Sequence, residues 1–148
     1  MAELDIPQPE ADALIAMEKR RLDENVWDFP GPGQKIAIPL ESVDRRESFM
    51  LDVTRVCIKL TKITYQNRAR GSVILVRLDI DSSPHRNPDG EEIACPHVHL
   101  YKEGFGDKWA YPISPAMYPD LQSFPAALES FMQHCHITER PLIKWGLF

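Results

Sequence analysis

The sequence predicts an α+β domain, an antiparallel β-sheet of about five or six strands with an N-terminal and a C-terminal helix packed on one face. From Lys35 to Ile113, short runs alternate apolar and polar residues with a period of two and are separated by turn residues. That is the pattern of antiparallel strands with one buried face, rather than of parallel strands alternating with helices. On either side of this region lie segments with helical spacing and helix-end chemistry.

Bulk properties bound the function. The chain has 148 residues, 43% of them hydrophobic and 26% charged, with a net charge of -5. One globular domain, 1–148, accounts for this length. The mildly acidic total argues against broad non-specific nucleic-acid binding, although a local basic face remains compatible with it. Cys57, Cys95 and Cys135 are odd in number and far apart, which predicts reduced thiols and a cytoplasmic setting. The start, MAELDIPQPEAD, is acidic and lacks the apolar core of a secretory signal, and no run approaches the ~20 apolar residues of a membrane span.

Residues 1–9 read as a loose leader. From Glu10 to Leu22 good helix formers begin with acidic residues and end in Lys19, Arg20 and Arg21, which complements the helix dipole, with Leu14, Met17 and Leu22 as the buried stripe. Asn25 to Gln34 holds two prolines and two glycines and reads as a connector, anchored by Trp27 and Phe29. The strands follow. KIAIPLES alternates through Ile36, Ile38 and Leu40, and Pro39 makes it an edge strand. SFMLDVT alternates through Phe49, Leu51 and Val53; VCIKLTKITY through Val56, Ile58 and Leu60; SVILVRLDID through Ile74, Val76, Leu78 and Ile80. HVHLY and KWAYPI complete the set, joined by a hairpin turn at Gly104–Asp107. Asn87-Pro88-Asp89-Gly90 is a strong turn signal. After Pro119, a second helix is expected with Asp120 or Ser123 as cap and Pro125 in its first turn, burying Leu128, Phe131 and Met132. The apolar tail ITERPLIKWGLF is expected to dock back on the body.

The alternation places Val98 and Leu100 on one face of a strand, and His97, His99 and Tyr101 on the other. Lys59, Thr61, Arg77 and Asp79 join that second face, with Tyr65, Arg68 and Arg70 close by. A solvated sheet face commonly carries mixed charges, so the pattern is not specific by itself. As chemistry, it matches a phosphodiester site that needs no metal or other cofactor. His97 and His99 would be acid and base, Tyr65 or Tyr101 a supporting proton donor, and Lys59, Arg68, Arg70 and Arg77 the phosphate contacts. Lys108 and Trp109 would cover the ligand, with Tyr101 and Trp109 stacking on bases. The same histidines, with Asp79, His85 or Glu103, also offer a carboxylate-and-imidazole site for zinc or iron.

The stretches KLTKITYQNRAR and LVRLDIDSSPHRNPDGEEIACPHVHLYKEGFGDKWA resemble an uncharacterised bacterial family known only as a domain of unknown function, similar in length and of prophage and mobile-element type. The resemblance implies a setting of conflict between phage, plasmid and host. It suggests a toxin-like endoribonuclease acting on RNA, held by a protein partner such as an antitoxin. The alternative is a non-catalytic protein that binds and inhibits a host defence complex, and a third reading is a metal-dependent enzyme using the HxH pair.

Overall fold

A computed structural model describes residues 5–146. The chain runs through α1 (Gln8–Ala16), β1 (Lys19–Arg21), β2 (Val26–Asp28), β3 (Lys35–Ser42), β4 (Ser48–Arg55), β5 (Ile63–Ala69), β6 (Val73–Ile80), β7 (His85–Arg86), β8 (Glu92–Ile93), β9 (His97–Leu100), β10 (Ala110–Pro112), α2 (Phe124–His134), β11 (Ile137–Glu139) and β12 (Leu142–Lys144). The fold is α+β with a mainly antiparallel sheet and two helices. That sheet has eight strands rather than five or six, in the order β10-β9-β6-β5-β4-β3-β1-β11. Five of the six expected strands are present, the sixth lies further along the chain as β5, and the surplus is β1 and β11, which pair in parallel at one edge.

The surplus has a physical origin in Lys19. A helix was expected to run to Leu22, but α1 stops at Ala16 and Met17 is extended. Lys19 is fully buried, and its ammonium donates to the carbonyls of Ile15, Met17 and Cys135 at 2.7–3.0 Å. Two of those carbonyls, at Ile15 and Met17, sit at the end of α1, where intrahelical donors run out. The side chain therefore ends the helix, and Lys19–Arg21 becomes a strand between β3 and β11. Leu22 is exposed, outside any buried stripe. Here tertiary pairing overrides good helix propensity.

Pro39 tells a related story. β4 flanks β3 from Lys35 to Glu41, but β1 pairs only with Leu40–Ser42. The expected edge strand is thus internal over its last three residues, and Pro39 lies where the third strand stops.

The core is a single apolar cluster on one face of the sheet. Phe49, Leu51, Val53, Ile63, Tyr65, Val76, Leu78 and Val98 project from the strands, and Ala11, Leu14, Ala127, Leu128 and Phe131 come from the two helices. Each large side chain fully buried there contributes roughly 1.5–3 kcal/mol. The α2 helix is capped as expected: the Ser123 hydroxyl accepts from the Ala126 amide, and proline stands in the first turn. The tail docks back through β12, which pairs in parallel with β2, while Leu147 and Phe148 lie outside the described residues.

Three further expectations need correction. The alternation across Val56–Leu60 does not form a strand: β5 begins at Ile63, and Ile58 is 94% exposed in the loop that joins β4 to β5. Two antiparallel strands need a connection, and these residues supply it. Ile74 does not share a face with Val76 and Leu78, because a register shift in the β5–β6 pairing turns the strand between them. Asp5 to Pro9 are not loose: the Tyr101 hydroxyl takes the Ile6 amide at 2.7 Å, Asp5 Oδ1 takes the Gly104 amide at 2.8 Å, and α1 begins at Gln8. Residues 1–4 of the expected leader lie outside the described residues. No described helix is long and apolar enough to cross a membrane.

Candidate metal centre

β6 and β9 pair antiparallel with Arg77 opposite His99 and Asp79 opposite His97. Because side chains alternate along strands, Leu78 and Val98 point to the core, and these four polar groups share the other face. All three of Asp79, His97 and His99 are buried, and one ligand atom from each lies within 4.8 Å of the others. Both histidines are only 1% exposed.

Against the centre lies a small hairpin that the alternation gave no hint of. β7 and β8 flank the Asn87–Gly90 turn, closed by Gly90 N–H donating to Asn87 O at 2.8 Å, with Gly90 at φ 92°. The Asn87 side chain then pairs with both backbone groups of Ala110 in β10, at 2.8 and 3.0 Å. This fastens the hairpin to the sheet edge. Within it Ile93 is buried, apart from the main core. The His85 ring is brought 4.6 Å from that of His99 and 6.0 Å from that of His97.

Polar contacts converge on one oxygen. Asp79 Oδ2 lies 3.2 Å from His97 Nε2, 3.1 Å from His99 Nε2 and 3.0 Å from Arg77 Nη2. Thr64 and Arg77 Nε donate to the other oxygen, each at 3.2 Å. Burial pushes the Asp79 carboxyl up, but the bonds from His97, His99 and Arg77 outweigh it and hold the group well below the usual carboxylate range. Each imidazole has a second partner: His99 Nδ1 faces the Asp107 carbonyl at 2.8 Å, and His97 Nδ1 faces the Ala94 carbonyl at 3.3 Å. A carbonyl only accepts, so each ring donates to it through Nδ1; a ring with both nitrogens protonated also donates from Nε2 to Asp79, and a neutral ring offers its Nε2 lone pair to a cation held beside Asp79.

The remaining residues singled out from the sequence lie elsewhere or have partners. Tyr65 belongs to the core face, where its hydroxyl donates to Phe124 O at 2.9 Å and burial pushes the phenol up. Tyr101 lies just past β9, buried, with its hydroxyl on Asp5 and Ile6. Arg68 makes a two-pronged pair with Asp52, and Arg70 pairs with Glu47 and Glu10. Lys59 sits in the β4–β5 loop on Asp81, 2.9 Å away, and Thr61 donates to the same carboxylate. Glu103 accepts from the Gln8 amide rather than joining the histidines. Lys108 is exposed, while its carbonyl lies 2.7 Å from His85 Nε2. Trp109 is met edge-on by Phe105 and faced by Lys102. The structure thus gathers Arg77, Asp79, His85, His97 and His99, and not the tyrosines or the other cations. Asp107 is the participant that sequence reasoning missed. Its carboxylate accepts from Arg77 Nη1 at 2.7 Å while its carbonyl faces His99, and only its place in the Gly104–Asp107 turn, next to β9, pointed that way.

Fold and site define an α+β protein with a sealed carboxylate–imidazole centre on the outer face of its sheet. The chain belongs to a family of unknown function (DUF6978), whose model matches residues 6–137. Comparison with curated proteins and with solved structures gives no match.

Proposed function

We propose that this chain is a metalloprotein in which Asp79, His97 and His99 hold one zinc or iron(II) ion. The observation that carries this reading is the orientation of the two imidazoles. Each turns Nδ1 to a backbone carbonyl and Nε2 to the same carboxylate oxygen. Outer-sphere carbonyls that fix the histidine tautomer are the support metal-ligating histidines normally have. Two histidines and a carboxylate are also a donor set for zinc or iron that leaves positions open for water or substrate. A bound ion would lower the pKa of such a water toward neutrality.

Metal-free acid–base catalysis by His97 and His99 on RNA is less well supported, since both rings are closed off beneath the β7–β8 hairpin and a phosphodiester must touch them. A metal ion needs far less room.

Elemental analysis of the purified full chain tests the reading. One zinc or iron per chain is expected, lost in His97→Ala. Protein that carries no metal, and that after chelation takes up none from micromolar zinc or iron(II), would contradict it.

A further inference from the structure

We propose that Arg77 is a resident counter-cation of this centre, which a metal ion must displace, so that Arg77 sets how tightly the centre holds metal. The inference rests on the metal-centre reading above.

Lone pairs decide the matter. With Nδ1 facing the Asp107 carbonyl, His99 has one lone pair, on Nε2, and Arg77 Nη2 stands 2.9 Å from it. The same Nη2 lies 3.0 Å from Asp79 Oδ2, the oxygen on which both histidines converge. One imidazole lone pair serves one Lewis acid at a time. A metal on His99 and the Arg77 hydrogen bond to His99 therefore exclude each other. A guanidinium this close would also repel a divalent ion. Arg77 has somewhere to go, because its Nη1 already holds the Asp107 carboxylate at 2.7 Å. It can release Asp79 and His99 and keep a charged partner. Asp107 thus serves both states, steadying His99 through its backbone and receiving Arg77 through its side chain.

The test is zinc affinity of the metal-free full chain, measured by competition with a chromophoric chelator, on protein whose fold is checked by circular dichroism. Arg77→Gln should bind zinc at least about tenfold more tightly than wild type, since the competing cation is gone. Asp107→Asn should bind more weakly, and that loss should shrink on the Arg77→Gln background, because Asp107 acts through Arg77. A folded Arg77→Gln protein with equal or weaker affinity than a zinc-binding wild type overturns the Arg77 proposal alone. If Arg77→Gln does not fold, unchanged or tighter binding by Asp107→Asn overturns it. Folded wild type and Arg77→Gln that both bind neither zinc nor iron(II) overturn the metal centre itself.

Discussion

Lys19 donates to three backbone carbonyls from a site with no solvent exposure, so one side chain ends a helix, starts a strand and ties both to the end of α2. Replacing it with methionine keeps the stem but orphans those carbonyls. Lys19→Met should cost about 2–4 kcal/mol in urea unfolding at neutral pH. Burial also pulls the Lys19 ammonium down from 10.5 to about 8, opposed by the nearby Cys135 thiol. Between those values the unfolded chain binds more protons at this position than the folded one. Stability from this group therefore rises with pH across that window. The gap between wild type and Lys19→Met should widen from pH 8 to pH 10; a gap that narrows would show that the folded state keeps its ammonium more firmly than burial implies. None of this was legible in the run Lys19-Arg20-Arg21, which reads equally well as a helix end. What distinguishes them is contact with Cys135, more than a hundred residues away in sequence.

At the scale of elements, the α2 cap was plain in Ser123 and Pro125, because capping is local chemistry that needs no tertiary partner. Ser123→Ala should destabilise the fold by about 1 kcal/mol, read as a shift of the denaturation midpoint with unchanged slope. The pairing of His97 with His99 was equally local, since period two fixes it. Their neighbours were only partly legible. Asp79 could be placed on the same face, but its register opposite His97 depends on how β6 and β9 align, and the alternation of VILVRLDI conceals the shift that turns Ile74 away. The β7–β8 hairpin was read only as a turn, because its strands are two residues each and carry no periodicity. Its hold on the sheet is Asn87. Asn87→Ala should cost about 2–3 kcal/mol, for two buried hydrogen bonds lost, and should speed carbethoxylation of His97 and His99 in mapped peptides. Histidine modification as slow as in wild type would mean that something other than this hairpin seals the centre.

For the whole molecule, the sheet separates two jobs. One face carries the apolar cluster and both helices. The other, at the β6–β9–β10 end, carries a buried charged network held by a hairpin and by the Gly104–Asp107 turn. Within that network Arg77 contributes one positive charge and Asp79 and Asp107 two negative ones, and the net negative charge favours a further cation. A ligand that binds only the folded state stabilises it by mass action. Zinc at 100 times its dissociation constant should therefore raise the unfolding free energy by about 2.7 kcal/mol, and His99→Ala should abolish the increment. The family match covers both jobs, from Ile6 in front of α1 to Ile137 at the start of β11.

X-ray absorption at the metal edge of the loaded protein reads the ligand set itself. A first shell of nitrogen and oxygen at about 2.0–2.2 Å with the outer-shell scattering of two imidazoles is expected. A shell containing sulfur, or oxygen alone with no imidazole scattering, would place the metal away from Asp79, His97 and His99 and overturn the metal centre.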